Sequence, residues 1–388
     1  VPDQLREDIE SMIGVGAVRD LIERSGIDPA EIGRVNRVKV YQGLAKVQEV
    51  NPENGELVEV IQVQDMAAVE LSPKWADGPS WPVVQPGPPQ KLPPFKVKSR
   101  SSKGLKTALI VPDIQAGFYH NKYGELVSTH DDTAVDLMLA MATDLDPDLV
   151  VLVGDNADLP EMGKYRLSPA FHLTTQATIN WLTTFAARMR AAAPRASIVW
   201  LAGNHEERLV NYILDNAAAA FGIRQGNSPE GWPVLSIPHL CRLDESGVEY
   251  LAGYPANQFW INERLRVVHG HKVRSGGSTA HAYLNSEKTS VLYGHIHRRE
   301  WAERTFEKWD GAKTIMAATP GCLAKVDGSV PSTKGGIDLH GRPLTVVEDW
   351  QQGIGVVQYD DTDSHEFWYQ QIPFHGGRGL LNGKMYSA

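Results

Sequence analysis

Five short clusters in the 388-residue chain carry side chains that hold and use divalent cations. They read Pro112-Asp113-Ile114-Gln115, Gly154-Asp155-Asn156-Ala157-Asp158, Gly203-Asn204-His205-Glu206, His269-Gly270-His271 and Gly294-His295-Ile296-His297. Carboxylates, imidazoles and a side-chain amide together make a ligand set for borderline divalent cations such as Mn²⁺ or Zn²⁺, and for iron. The glycines let the backbone turn sharply and approach an ion or a phosphate closely. One such cluster would say little, because Gly-Asn-His-Glu can open a helix and His-x-His can be a satisfied pair in a loop. Five in this order, each following an apolar run, point to a site.

The runs that precede the clusters, residues 107–111, 149–153, 198–201, 265–268 and 289–293, are apolar and rich in β-branched residues, and read as strands. Helical spacing covers 131–142, 176–192 and 205–220, with a shorter stretch near 279–285. Strands alternating with helices predict a largely parallel sheet covered by helices. Placed in one parallel sheet, all five clusters fall on its carboxyl edge, where open α/β sheets bind ligands. After Arg299 the pattern turns to hairpins. Residues 301–306 and 314–318 flank Asp310-Gly311, and 354–359 and 365–372 flank 360–364, so a second, mostly antiparallel sheet is expected.

Composition divides the chain into three. Residues 1–72 are acidic, with 14 Asp/Glu against 7 Lys/Arg, and read as a small α+β domain. It has a helix over 17–25 and strands over 35–50 and 57–63 around the turn 51–55; docking, oligomerisation and DNA reading are its candidate roles. Residues 73–103 form a proline-rich and then basic linker that runs on to Lys106, and its Lys96, Lys98, Arg100 and Lys103 with Lys106 either track a phosphate backbone or are simply solvated. Residues 104–388 hold the clusters.

A net charge of -9 argues against a chain that is basic all over and built for nucleic acid. With 42% hydrophobic and 22% charged residues, a soluble globular protein is expected. Apolar runs stop far short of the ~20 residues that cross a bilayer. The first residues carry neither a basic nor an apolar signal region, so the expected setting is the cytoplasm. Cys241 and Cys322 cannot make a disulfide framework or a four-thiolate zinc site.

In order and spacing the clusters resemble the calcineurin-like metallophosphoesterase superfamily, whose pattern is Asp-x-His, Gly-Asp-x-x-Asp, Gly-Asn-His-Asp/Glu, His and Gly-His-x-His. The resemblance runs over roughly residues 105–299, and the later strands suit its four-layer αββα sandwich. Carried over by position, it implies one metal on Asp113, Gln115, Asp155 and His297. A second would sit on Asp155, Asn204, His269 and His295, with Asp155 bridging. His269 is preferred to His271 because it lies nearer the strand end. The resemblance further implies His205 as general acid and Asp158 as the carboxylate orienting it. Two divalent ions would share a hydroxide for in-line attack, with Mn²⁺ foremost and Zn²⁺, Fe or Ni²⁺ as alternatives.

Two positions depart from the pattern. Gln115 stands where the superfamily has histidine, and an amide oxygen is a poorer donor to transition metals, so the first site is expected to be the weaker. His120 is a possible compensating ligand. Leu159 stands where the protein-phosphatase branch has an arginine, which removes a phosphate clamp and favours phosphodiesters over phosphomonoesters on proteins. Arg208, His271 and Arg274 are candidate substrate contacts. Residues 349–353, the acidic N-terminal part and the proline linker are similar to metallophosphoesterases encoded by bacteriophages, which would place the protein in a host cytoplasm. The expectation is a metal-dependent phosphodiesterase or nuclease, with nucleic acid among its candidate substrates. A phosphomonoesterase acting on proteins or nucleotides and a non-catalytic scaffold with a degenerate metal site are the alternatives.

Overall fold

A computed structural model describes residues 26, 32–50, 56–73, 104–164, 167–227, 230–309, 311–331, 336–338, 342–345 and 347–388. The chain divides into two compact units, Val1–Val83 and Val84–Ala388. The helix expected over 17–25 and the linker over 74–103 lie outside the described residues. In the first unit, β1 (Ile32–Val50) and β2 (Leu57–Pro73) pair antiparallel from Val50↔Leu57 to Ile32↔Pro73. The second strand therefore runs ten residues past its expected end at Val63, because β1 supplies backbone partners along the polar Gln64-Asp65 stretch as well.

The second unit begins with β3 (Lys106–Val111), a small hairpin of β4 (Phe118–His120) and β5 (Leu126–Ser128), and helix α1 (Asp132–Leu145). Asp131 caps α1 by accepting the Ala134 N–H at 3.2 Å. There follow β6 (Leu149–Leu152), α2 (Thr175–Ala192), β7 (Ser197–Leu201), α3 (Glu206–Asn216), the single turn α4 (Ile237–Leu240) and β8 (Val248–Leu251). Next come β9 (Phe259–Asn262), β10 (Leu265–Val268), α5 (Thr279–Ser286), β11 (Ser290–Tyr293), β12 (Arg299–Lys308) and β13 (Gly311–Pro320). The chain closes with β14 (Gly353–Tyr359), β15 (Phe367–His375), β16 (Arg378–Leu381) and β17 (Lys384–Ser387).

Two large sheets result. An eight-stranded sheet has the order β17-β16-β15-β14-β3-β6-β7-β8, parallel from β3 to β8, and a five-stranded sheet has the order β12-β13-β11-β10-β9. Alternation along β3 shows how they pack. Ala108 and Ile110 join Val151, Val199, Val267 and Leu292 in a core between the sheets, while Leu109 and Val111 face helices α1 and α2 on the other side. Helix α5 covers the outer face of the smaller sheet through Ala280, Tyr283 and Leu284. The layer order is thus helix, sheet, sheet, helix, the mixed α/β sandwich that the resemblance implied.

The five cluster-bearing strands do not lie in one parallel sheet. β3, β6 and β7 belong to the larger sheet, whereas β10 and β11 pair parallel in the smaller one. The β9–β10 hairpin begins the second sheet, and the two carboxyl edges then face one another across the sandwich. Nor is the second sheet mostly antiparallel and terminal. β14 and β15 add to the larger sheet beside β3, and β13 pairs parallel with β11. No helix among the described residues is long and apolar enough to cross a membrane.

Candidate metal centre

The loops after β3, β6, β7, β10 and β11 meet between the two sheet edges. Backbone bonds join the first two: Gln115 N–H donates to Asp155 O at 2.9 Å and Ala116 N–H to Asn156 O at 2.8 Å. Gln115, Asp155, His295 and His297 all have positive φ, at 53°, 49°, 72° and 57°, a costly region for non-glycine residues that is held here by the surrounding bonds. Gly203 and Gly294 are required by close approach. A Cβ at 203 would lie 2.2 Å from Asp155 Oδ1, and one at 294 would lie 2.5 Å from Asp113 Oδ2.

Two groups of potential ligands emerge, Asp113 with Asp155 and His297, and Asp155 with His269 and His295; within each, the donor atoms lie within 4.8 Å of one another. His297 Nε2 is 3.3 Å from Asp113 Oδ1, and His269 Nε2 is 3.2 Å from Asp155 Oδ2. Asn204 Oδ1 is 3.1 Å from His269 Nε2, which puts the amide beside the second group. His269 Nδ1 faces the Val153 carbonyl at 3.0 Å, an arrangement that places a proton on Nδ1 and turns Nε2 to the site. Gln115 Nε2 lies 3.4 Å from Asp155 Oδ2 and 3.3 Å from His297 Nε2, so the amide sits in the first group with its nitrogen inward.

The electrostatics are those of a cation site. Burial would raise Asp155, but the charges of His205, His269 and His295 outweigh it and hold the carboxyl well below the usual range. Burial alone would lower His269, yet the Asp155 charge and hydrogen bond, with Asp113 and Glu206 behind them, raise it to about 9. His295 is lowered to about 4 by burial and by the neighbouring His269 charge, and so is neutral and able to coordinate at pH 7. The ion-pair partners found for the buried Asp113 and Asp155 carboxylates are histidines, with no lysine or arginine among them. Asp113 Oδ2, Gln115 Oε1, His295 Nδ1 and His297 Nδ1 are buried with no hydrogen-bond partner among the described residues. Buried polar atoms left over around two carboxylates whose ion-pair partners are imidazoles fit divalent cations, which the same groups can coordinate.

Beside this centre stands a second constellation. His205 Nδ1 is 2.9 Å from Asp158 Oδ1, and its backbone N–H donates to Asp155 Oδ1 at 2.9 Å. Arg208, one turn along α3, donates to the Asp158 carbonyl at 2.6 Å and brings Nη2 to 2.9 Å from His205 Nε2. Glu206 holds the loop beneath. Its carboxylate accepts the backbone N–H groups of Asp155, Asn156, Ala157 and Gly203 at 2.9, 2.8, 3.1 and 2.8 Å. The sequence contained Glu206 in the third cluster, but nothing there showed that it would fasten the second.

Other expected residues lie apart. His271 and Arg274 are exposed in the loop between β10 and α5, and neither belongs to a ligand group. His120 is in β4, with Nδ1 3.2 Å from the Gly124 carbonyl, and does not complete the first group. Leu159 is buried at a positive φ of 47°, so no charged side chain projects from that loop position. Lys106, the last residue of the basic stretch, pairs with Asp361; Lys96 to Lys103 lie outside the described residues. Two residues of the 349–353 segment, to which the sequence reading gave no place in the site, brace the fifth cluster. The Trp350 ring stands edge-on to His297 with centroids 4.2 Å apart, and Gln351 donates its N–H to the His297 carbonyl at 2.9 Å. The site opens into a cleft of about 1020 Å³ that reaches Gln115, Asp155, Asn204, His205, Arg208, His295 and His297.

Residues 107–309, more than half of the chain, match the family model described as calcineurin-like phosphoesterase. No curated protein matches the chain. Among solved structures, Yfce, a phosphoesterase from E. coli, aligns over 67% of this chain and 96% of its own at 13% identity, with a TM-score of 0.27.

Proposed function

The chain belongs to the calcineurin-like phosphoesterase family, and on that premise we propose that this hydrolase of phosphoric ester bonds is a phosphodiesterase with a dinuclear metal centre. The observation that carries the reading is the Asp155 carboxylate, which is common to both ligand groups. In this reading Asp113, Gln115, Asp155 and His297 hold one ion, and Asp155, Asn204, His269 and His295 hold the other. Mn²⁺ suits such a mixed oxygen and nitrogen set. Gln115 takes part with its amide turned over, so that Oε1 replaces Nε2 beside Asp155 and His297; the two orientations occupy the same volume. Divalent ions held by these residues would neutralise phosphoryl oxygens and would supply a nucleophile from water at neutral pH.

The remaining steps belong to the chain's own side chains. Asp158 fixes His205 through Nδ1, which leaves Nε2 to carry a proton to the departing ester oxygen. Arg208 stands against that Nε2, and a bound phosphate competes for its guanidinium, drawing the arginine off and freeing the imidazole. The charge balance supports a diester. Leu159 brings no guanidinium, and the two arginines that line the cleft among the described residues, Arg208 and Arg298, are already paired, with Asp158 at 3.2 Å and with Glu300 at 3.3 Å. A monoanionic diester needs less positive charge than a dianionic monoester. With Mn²⁺ supplied, bis-p-nitrophenyl phosphate should turn over at least about tenfold faster than p-nitrophenyl phosphate, a difference of ~1.4 kcal/mol in the barrier. The opposite ranking would make the protein a phosphomonoesterase, and no turnover with Mn²⁺, Zn²⁺, Ni²⁺ or iron would leave a binding scaffold.

A further inference from the structure

We propose that the substrate is a small phosphodiester with an uncharged apolar or aromatic ester arm, and that the cleft disfavours a nucleic-acid strand. The inference rests on the phosphodiesterase reading and names the substrate class of that same site. Two large apolar side chains stand in the cleft wall yet remain open to solvent: Leu344 is 61% exposed and Val273 is 52% exposed. They come from different segments, Val273 from the loop between β10 and α5 and Leu344 from the stretch between β13 and β14. Ile337 and Trp350 line the same cleft. Apolar side chains gathered in a concave site beside phosphate-binding groups are a binding wall rather than scattered surface residues.

Charge decides against the polymer. Asp349 lines this cleft, exposed, on the segment that carries Trp350. A strand threading past it would bring further phosphates against a carboxylate, whereas a strand-binding groove lines its path with cations. An uncharged arm meets no such repulsion. The size agrees, because about 1020 Å³ is at the upper end of small-molecule sites.

The test uses the full chain loaded with Mn²⁺ and three probes, diphenyl phosphate, dimethyl phosphate and trithymidylate, titrated by calorimetry at low salt. Diphenyl phosphate should bind about tenfold or more tighter than dimethyl phosphate, the worth of burying part of an aryl ring. It should also bind more tightly than trithymidylate. Leu344→Asp and, independently, Val273→Asp should shrink the diphenyl-to-dimethyl ratio to less than about threefold. The proposal is overturned if trithymidylate binds as tightly as diphenyl phosphate, or if both variants keep the full ratio. Hydrolysis of bis-p-nitrophenyl phosphate, followed in parallel, separates the two claims. An intact binding preference without turnover defeats the phosphodiesterase reading alone, and turnover without the preference defeats the substrate assignment alone.

Discussion

Glu206 binds the backbone of Asp155: Oε2 accepts the Asp155 N–H at 2.9 Å, so the residue following His205 sets the conformation of the carboxylate that both ligand groups share. Four backbone donors converge on the two Glu206 oxygens, two on each. Burial and the nearby Asp155 charge raise its pKa, and the Ala157 and Gly203 donors oppose them. Glu206→Gln turns one oxygen into an NH₂ facing two N–H groups, and should cost about 2–4 kcal/mol of stability in urea titrations together with weaker metal binding. Stability within ~0.5 kcal/mol of the native protein would mean that the loop holds itself.

In the proposed reading His205 acts on the leaving group. His205→Ala should slow diesters with poor alkoxide leaving groups by about 10²–10⁴ while barely affecting activated nitrophenyl esters, which need little protonation. Metal content, read by elemental analysis, should stay as in the native protein. Equal losses on the two ester types would remove the acid role.

In the proposed reading Gln115 makes the first ligand group the weaker one. Calorimetric titration with Mn²⁺ should resolve one tight and one weak site in the native protein. Gln115→His, which adds an imidazole beside His297 and Asp155, should tighten the weak site by roughly tenfold or more. Two equally tight native sites would show that the amide is no handicap.

The raised pKa of His269 sets a pH dependence with a definite sign. In the metal-free protein its value lies above the ordinary 6.5, at about 9. Its contribution to folding stability is therefore fully present below ~6.5 and is lost as pH rises through about 9. Metal binding works the other way, since an ion must displace that proton, so apparent Mn²⁺ affinity should strengthen by close to tenfold per pH unit below about 9. The gap in Tm between Mn²⁺-loaded and chelator-treated protein should widen between about pH 6.5 and 8.5. A gap that narrows over this interval would place the His269 proton elsewhere.

The residues of the two candidate ligand groups were legible in the sequence because each cluster is local: a strand end, a glycine and two or three polar side chains within five positions. Sheet membership was not. Leu149–Leu152 and Ser290–Tyr293 are buried at every residue, and a strand covered on both faces shows no period that tells which sheet it joins. The first ends in the larger sheet and the second in the smaller, as tertiary packing dictates. Trp350 and Gln351 brace His297 from far along the chain, where no local pattern announces them. Glu206 was visible as a residue but not as a fastener, since its partners are backbone groups of another loop.

The central claim is that one carboxylate serves two ions, and Asp155→Asn tests it most directly. The full-length variant, loaded afresh with Mn²⁺, is assayed for bis-p-nitrophenyl phosphate hydrolysis while bound metal is counted by calorimetry. The account predicts that affinity falls at both sites together and that turnover drops by at least about 10³, because both ligand groups lose the same charge. Near-native turnover, or loss of only one ion with the other unchanged, would contradict it.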